Sequence, residues 1–303
     1  MSWNDLKLAF NKITHSAKNK KFVESEWEKF ELLAKKVNHN CPDFLVNLVS
    51  SLKKAGKNKN KDKIFILDHG CGSALKSFYF IALGYTNIYG VNKNDEVDHL
   101  NLILKKKFSI SEKRFFTTEG KLLPFIDNKF DFIFSLQVLE HVQDNCIELY
   151  YSEEARVLKK NGYAFHEVPH LLVPYDSHSR LWFAHWFPKF LQPMIYGVFK
   201  SLQNKQFLLH EGAQIAKKYN GEFLMLRTPK FHYQRILKYM GSFNELTLER
   251  LVRNTNFDNY DKDNPILLRK ILYYIFKVPI LGLLLARLLK NFFMLQTLSK
   301  KTI

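Results

Sequence analysis

The sequence predicts an α/β fold in which a mostly parallel sheet is covered by helices on both faces. Short apolar runs, typical of buried strands, alternate with helix patterns between residues 64 and 168, and this alternation favours a parallel sheet. The clearest strand is the apolar run 64–67, which leads into Asp68 and then into Gly70 and Gly72. Glycines there indicate a loop where backbone approaches a ligand, because glycine lacks a Cβ and ligands bind beyond the carboxyl ends of such strands.

The composition is that of a globular chain with a large excess of positive charge. Its 303 residues are 46% hydrophobic, which suits one large domain or one domain with insertions. The three cysteines are too scattered for a disulfide framework or a zinc pattern, and the polar N-terminus has no signal-peptide core, so we expect a cytoplasmic protein. The net charge of +17 favours an anionic partner, namely nucleic acid, an acidic lipid surface or a phosphorylated substrate, unless it reflects a general lysine bias.

The first two regions of the chain are a helical extension and an alternating core. Residues 1–60 are predicted to be helices followed by a lysine-rich linker, because apolar residues recur at helical spacing as far as Leu52. Residues 61–170 carry the core. Its predicted strands are 64–67, 88–91, 115–117, 130–135 and 163–168, and its predicted helices are 76–83, 95–107 and 145–158.

The last two regions are a cap and a return to the core. Residues 171–242 hold four of the nine prolines and many aromatic residues without a clear period, so an aromatic-rich cap insertion is predicted there. Residues 243–303 are predicted to complete the core. Their predicted elements are a helix at 247–254, a sixth strand at 257–260 and a closing strand at 292–299.

An apolar and basic segment, 265–291, lies between these last two strands and contains no acidic residue. Its longest uncharged run is about half the roughly 20 residues that span a bilayer. The segment is therefore either a cap helix packed on the domain or a monotopic element that contacts anionic lipid. The stretch 181–191 has a similar character, with tryptophans suited to a membrane interface.

Two further sequence blocks accompany the glycine loop. Residues 123–142 pass through a strand to Leu-Glu-His-Val, and residues 154–163 read Glu-Ala-Arg-Val-Leu-Lys-Lys-Asn-Gly-Tyr. In this order and spacing, the loop and both blocks resemble the class I S-adenosylmethionine-dependent methyltransferases. The closest likeness is to the branch of ubiquinone- and menaquinone-pathway enzymes and of glycan- and lipid-modifying relatives. The resemblance covers about residues 64–170, and it implies a Rossmann-like seven-stranded sheet whose last strand is antiparallel.

The resemblance implies S-adenosyl-L-methionine as the cofactor. The family spaces three small residues as G-x-G-x-G, and Ala74 takes the third place, whereas a nicotinamide fingerprint would need a glycine at Leu75. Asn92 stands where the family usually has an acid for both ribose hydroxyls, so we expect weaker binding unless Asp95 substitutes for it. The implied cofactor-binding residues are Asp68, Gly70 and Gly72 at the methionine part, Asn92 at the ribose, Glu119 and Gly120 at the adenine, and Ser135 and Leu136 beside the sulfonium.

The predicted catalytic residues are His141, Glu140 and His166. A histidine is suited to removing a proton from a hydroxyl near neutral pH, so His141 is either a general base or a structural histidine. Some relatives bind a divalent metal through Glu-x-x-Glu-His. Gln137 replaces the first glutamate here, and no metal site is predicted because hard cations prefer charged oxygen ligands.

A histidine-rich stretch begins at the fifth predicted strand. It contains His166, Glu167 and His170, followed by His178 and His185. Three interpretations remain open for it: contact with the substrate by the first three residues, a zinc cluster, or ordinary packing. The spacings fit no common zinc pattern.

These patterns predict a methyltransferase that acts on an oxygen of a membrane-associated lipid, polyprenyl or lipid-linked saccharide. The apolar basic segment suggests peripheral contact with the cytoplasmic face of the membrane. The alternatives are a soluble small molecule, an RNA or a protein as the acceptor, or a non-catalytic partner subunit of the same fold. No specific nucleic-acid partner is expected, because the basic residues are interleaved with aliphatic ones. The oligomeric state is not predicted.

Overall fold

The structure is a computed structural model that describes residues 2–93, 97–118, 122–176, 178–179, 181–204, 212–214, 216, 224–253, 274–275, 278 and 280–303. The helices are α1 (Trp3–Lys18), α2 (Glu24–His39), α3 (Asp43–Ala55), α4 (Leu75–Ala82), α5 (Asp98–Phe108), α6 (Ile147–Val157), α7 (Gln192–Asn204), α8 (Pro229–Met240), α9 (Thr247–Arg253) and α10 (Leu281–Leu289). The strands are β1 (Ile66–His69), β2 (Ile88–Lys93), β3 (Phe115–Thr118), β4 (Phe130–Leu136), β5 (Leu158–Val168), β6 (Tyr175–Asp176), β7 (Leu181–Trp182), β8 (Gly241–Glu245) and β9 (Leu295–Lys301).

Seven strands form one sheet in the order β3-β2-β1-β4-β5-β9-β8, and β6 pairs with β7 in a separate hairpin. The strands β1 to β5 are parallel, whereas β9 runs antiparallel to both β5 and β8. The strand order reverses between β1 and β4, which is the kind of switch point at which open α/β sheets bind ligands. The predicted fold class, a Rossmann-like and mostly parallel seven-stranded sheet with helices on both faces, is confirmed.

Successive residues of a strand point to opposite sides of the sheet. Helices cover both sides, so both sets of side chains are buried. Ile66 and Phe165 belong to the apolar cluster formed with α1 to α5, while Leu67 and Ala164 belong to the cluster formed with α6 and α8. Strands covered on both sides consist of continuous apolar runs rather than alternating ones. This is why the run at 64–67 was recognisable in the sequence.

The predicted helical N-terminus is confirmed, and its three helices form part of one of these layers. The ring of Phe10 in α1 lies 5.4 Å from that of Phe30 in α2 and 5.1 Å from that of Phe78 in α4. In α3, the Asn47 amide donates a 2.7 Å hydrogen bond to Gln296 of β9. The helices α1 to α3 are therefore integral to the domain core.

The strand that pairs with the outer side of β9 lies earlier in the chain than predicted. The sixth strand was predicted at 257–260, after the helix, but β8 precedes α9 and pairs with β9. As the edge strand of the sheet, β8 is only partly buried, so it lacks the apolar pattern of the central strands. Residues 257–260 lie outside the described residues.

The predicted cap at 171–242 divides into two parts. The hairpin β6–β7 and helix α7 share a small apolar cluster that includes Leu181, Ala184 and Tyr196. Helix α8, by contrast, packs on α6 in the core layer, and β8 joins the main sheet. Much of segment 265–291 lies outside the described residues, and α10 is its described helix. Within the described ranges, no helix has the length and apolarity needed to cross a membrane.

Candidate active site

The glycine loop after β1 is held in a conformation that requires glycine. The φ angles of Gly70 and Gly72 are +89° and +50°, a region that side chains disfavour. A Cβ on Gly70 would lie 2.3 Å from a methyl carbon of Val138, whereas a Cβ on Gly72 would meet nothing within 4 Å. The loop is closed on one side by the segment after β4 and is open at Gly72.

The Asp68 carboxylate lies beneath this loop. It is buried and accepts a 2.6 Å hydrogen bond from the Ser77 hydroxyl of α4. Burial raises the pKa of Asp68 to about 7, although the hydrogen bond from Ser77 acts in the opposite direction. Asp68 therefore ties the end of β1 to α4.

The other predicted cofactor residues near the adenine and ribose are only partly described. Asn92 lies near the end of β2, half-buried and in register with Thr117 of β3. Three predicted residues, Asp95, Glu119 and Gly120, lie outside the described residues.

At the end of β4, the predicted cofactor residue Ser135 points toward the helix layer that contains α6. Ser135 is buried, and its hydroxyl lies 2.6 Å from the Tyr150 hydroxyl of α6. Leu136, the next residue, is half-buried. Ser135 thus joins the sheet to α6, while Leu136 is on the opposite side of the strand.

A buried carboxylate joins two histidines from different strands beneath the glycine loop. Glu154 of α6 has one oxygen 2.9 Å from Nδ1 of His69 in β1 and the other 2.7 Å from Nε2 of His166 in β5. The His69 ring also stacks on Tyr150, with the centroids 4.0 Å apart. Burial by itself raises the pKa of the Glu154 carboxyl, but the two histidines outweigh it and lower this pKa to about 2.

The predicted catalytic residue His166 belongs to this network. It is 1% exposed, and it is held by Glu154 on the side of the sheet covered by α6. The structure does not bring it together with His141, whose described contacts are with Glu140 and His178. The arrangement favours a structural role for His166.

The other two candidates of the histidine-rich stretch are also bound to protein groups. Glu167 accepts hydrogen bonds from Gln296 of β9 and Arg250 of α9. His170 donates from Nε2 to the Phe293 carbonyl at 2.9 Å. Burial lowers the pKa of His170 to about 4, although the hydrogen bond to that carbonyl acts in the opposite direction, so the ring is neutral at neutral pH.

Glu140 and His141 lie in a short 3₁₀ turn, Leu139–His141, that follows β4. The Glu140 side chain is fully buried, and burial raises its pKa to about 8. Its Oε1 lies 3.9 Å from Nε2 of His141, and the ring of His178 packs edge-on against His141 with the centroids 5.2 Å apart. This Glu140–His141–His178 cluster is the group of ligating side chains among the described residues that could hold a metal ion.

Arg227 fixes the turn that carries this cluster. Its guanidinium donates to the carbonyls of Leu139 and Val142 at 2.9 and 2.6 Å and to the Asp144 carboxylate. The Met225 amide also donates to the Glu140 carbonyl at 2.6 Å. The segment leading into α8 therefore positions Glu140 and His141.

Several of these residues were not singled out from the sequence. His69 stands within the glycine motif and Glu154 within the second sequence block, so their positions were visible but their pairing was not. Arg227 gives no signal, because the Leu139 and Val142 carbonyls and the Asp144 carboxylate that it contacts lie more than 80 residues away. His178 was noted only as one histidine of a rich stretch.

Comparison with known proteins finds similarity in the central part of the chain. Residues 67–166 match the family model of the methyltransferase domain. Ubiquinone biosynthesis O-methyltransferase of Pelagibacter ubique is 32% identical over 122 residues, which cover 39% of this chain and 48% of that protein. Sterol 24-C-methyltransferase of Pneumocystis carinii is 33% identical over 116 residues, which cover 38% of this chain and 30% of that protein. The chain thus spans about half or less of the length of these relatives.

Among solved structures, PKMT2 from Rickettsia typhi in complex with AdoHcy is similar. The match has a TM-score of 0.47 and 14% identity, and it covers 84% of this chain and 52% of that chain.

Proposed function

We propose, from the match of residues 67–166 to the family model of the methyltransferase domain, that the protein transfers a methyl group from S-adenosylmethionine to an acceptor oxygen. The observation that carries the proposal is the glycine loop at the switch point of the sheet. Its opening at Gly72, where a Cβ would meet nothing within 4 Å, leaves room for a ligand to approach the backbone.

The residues present fit a bound S-adenosylmethionine in this crevice. Gly70 and Gly72 would expose backbone to its methionine part, and Asn92 would accept one hydrogen bond from its ribose. When bound, this cofactor supplies a methyl group made electrophilic by the sulfonium. The protein holds the two reactants in line, which is the main source of rate in such a transfer.

The acceptor hydroxyl must lose its proton as the methyl group is transferred. His141 follows β4 at the carboxyl edge of the sheet, and its side chain is 34% exposed. We propose that His141 takes this proton, with Glu140 beside it.

Calorimetric titration with S-adenosylmethionine and S-adenosylhomocysteine tests the cofactor assignment. We expect saturable binding of about one molecule per chain, weakened by the absence of a ribose-binding acid at position 92. Absence of binding by both compounds would overturn the enzyme assignment and would favour a non-catalytic subunit of this fold.

The acceptor that we propose is a lipid, polyprenyl compound or lipid-linked saccharide at a membrane surface. Support comes from an exposed apolar surface, here called the aromatic surface, that is formed by residues 182–202 and 280–292. Its two segments meet where Trp186 and Phe292 lie with ring centroids 6.2 Å apart. Its exposed large side chains are Trp182, Phe183, Trp186, Phe187, Phe190, Met194, Val198, Phe199, Leu202, Ile280, Leu281, Leu283, Leu284, Leu288 and Phe292.

Charge supports a lipid as the occupant of this surface. Neither segment contains an acidic residue, and both carry basic ones, including Lys189 and Arg287. Exposed tryptophans with apolar neighbours and basic residues suit the interface of an anionic bilayer. Two of the relatives are named for ubiquinone biosynthesis and for a sterol, and both of these are apolar molecules.

Sedimentation with vesicles tests the membrane part of the proposal. We expect binding to phosphatidylglycerol vesicles and little binding to phosphatidylcholine vesicles. The double substitution Phe190→Glu and Leu288→Glu should weaken vesicle binding at least tenfold without loss of stability, because these side chains are 80% and 74% exposed. Leu8→Glu, at a residue of α1 that is 62% exposed, is the matched control and should bind as the wild type does.

The lipid assignment would be wrong if the wild type ignored anionic vesicles. It would also be wrong if the double variant and the Leu8→Glu control bound equally well. Salt-dependent binding to RNA in place of vesicles would favour the RNA alternative.

A further inference from the structure

The last residue of β1, His69, presents a ring nitrogen at the switch point of the sheet. Its Nδ1 lies 2.9 Å from the buried Glu154 carboxylate, and Tyr150 covers one face of the ring. Its Nε2 has no hydrogen-bond partner among the residues that the structure describes, and it is not enclosed by protein; 12% of the side chain is exposed. This nitrogen is therefore accessible beside the glycine loop, where sheets of this kind bind ligands.

The position of His69 brings this nitrogen close to the predicted cofactor residues. His69 and Ser135 are adjacent residues of neighbouring parallel strands, and both contact Tyr150 of α6. Gly70 follows His69 directly in the chain. A ligand that lies against the backbone of the glycine loop would therefore be next to the His69 ring.

The charge of Glu154 determines what kind of ligand group suits this ring. Burial raises the pKa of the Glu154 carboxyl, but the contacts with His166 and His69 outweigh burial and hold the pKa at about 2, so the group is ionised at neutral pH. A buried negative charge is costly unless a positive charge is paired with it. One of the two histidines must therefore be an imidazolium.

The surroundings of the two histidines assign this proton to His69. In His166, the nitrogen that does not contact Glu154 is Nδ1, and it is buried without a hydrogen-bond partner among the described residues. A proton there would bury an unpaired N–H group, which costs free energy. In His69 the second nitrogen is accessible, so its N–H can donate to water or to a ligand.

A cationic N–H group at this position suits an anionic ligand group. S-adenosylmethionine has one, the α-carboxylate of its methionine part, and hydrogen bonds between charged groups are roughly twice as strong as neutral ones. We propose that His69 binds this α-carboxylate through Nε2, and that Glu154 is the positioning residue that orients and charges the ring. The contact rests on the proposed function, because it needs S-adenosylmethionine or its product in the crevice.

Calorimetric titration of the whole chain tests this contact with two ligands. One is S-adenosylhomocysteine, and the other is its decarboxylated analogue, in which hydrogen replaces the α-carboxylate and the α-amino group is kept. We expect the wild type to bind S-adenosylhomocysteine at least tenfold more tightly than the analogue. His69→Asn keeps an amide near the position of Nδ1 but has no group at that of Nε2. It should bind S-adenosylhomocysteine at least tenfold more weakly than the wild type does, and the analogue equally well.

His232→Asn is the matched control. His232 also contacts α6 through Nδ1, which lies 2.9 Å from the Tyr151 hydroxyl, but its Nε2 is buried without a partner among the described residues. Both substitutions remove an imidazole ring beside α6, whereas only His69 has a nitrogen that a ligand can reach. Thermal unfolding of both variants measures the loss of stability, and His232→Asn should bind both ligands as the wild type does.

The proposal is overturned if the wild type binds both ligands equally well, a comparison that decides the question even if His69→Asn fails to fold. It is also overturned if His69→Asn binds S-adenosylhomocysteine as the wild type does. The same holds if this variant loses affinity for both ligands by one factor, as it would if the ring met the α-amino group or only shaped the loop. These results would leave the proposed function intact, whereas a wild type that binds neither ligand would contradict both proposals.

Discussion

Glu154→Gln is expected to lower the free energy of unfolding by about 3–5 kcal/mol, the range measured when one partner of a buried charge network is removed. The wild-type carboxylate has no exposed surface and contacts His69 and His166 at 2.9 and 2.7 Å. A glutamine side chain can accept from one histidine but presents an NH₂ group toward the other. The network therefore loses a charge-assisted hydrogen bond and leaves one buried histidine badly matched.

The pH dependence of stability should change with this substitution. Glu154 has a pKa of about 2 in the folded protein against a usual value of 4.5, so its stabilising contribution is present above about pH 4.5. It is lost progressively as the pH falls from about 4.5 toward 2, because over this interval the unfolded state binds a proton that the folded state does not. The wild type should lose stability steeply between these values, and the variant should lose less.

Denaturant unfolding at pH 7 and at several acid pH values measures both effects. Glu148→Gln is the matched control, since Glu148 lies on the same helix and its carboxylate is 44% exposed and paired with Lys238. Its loss should cost less than about 1 kcal/mol. Equal effects of the two substitutions would show that the Glu154 network does not stabilise the fold.

The sheet was predictable wherever burial imposes an apolar run. Strands β1 and β4 are covered on both faces, and each contains or continues an apolar run, at residues 64–67 and 132–134, so their positions are visible in the sequence. Strand β8, Gly-Ser-Phe-Asn-Glu, forms the edge of the sheet and is only partly buried, so it looks like a loop in sequence. A strand of this kind is defined by backbone pairing with β9, which the sequence does not record.

The candidate site was predictable in its backbone and less so in its side chains. The glycine loop follows from local chemistry, because a positive φ and an open approach require glycine. The role of His166 depends instead on the face of β5 to which it points and on the helix behind that face. The approach of His178 to Glu140 depends on how the cap folds over the sheet, and no period in 171–242 indicates this.

Gly72→Ala is expected to weaken the binding of S-adenosylhomocysteine at least a hundredfold while the protein still folds. In the structure a Cβ at this position meets nothing within 4 Å, so the substitution causes no clash within the protein. It costs only the strain of a side chain at a φ of +50°, about 1–2 kcal/mol. The added methyl group would fill the space through which a ligand approaches the loop backbone.

Gly84→Ala separates strain from blocked binding. Gly84 follows α4, has a φ of +97°, and its Cβ would meet only the Lys61 side chain at 3.7 Å. Both variants should therefore lose similar stability in thermal unfolding, but only Gly72→Ala should lose cofactor affinity in calorimetry. If Gly72→Ala bound S-adenosylhomocysteine as well as Gly84→Ala does, the ligand could not lie against the loop. The methyl donor would then have to bind elsewhere on the sheet edge, and the assignment of Gly70 and Gly72 to its methionine part would be wrong.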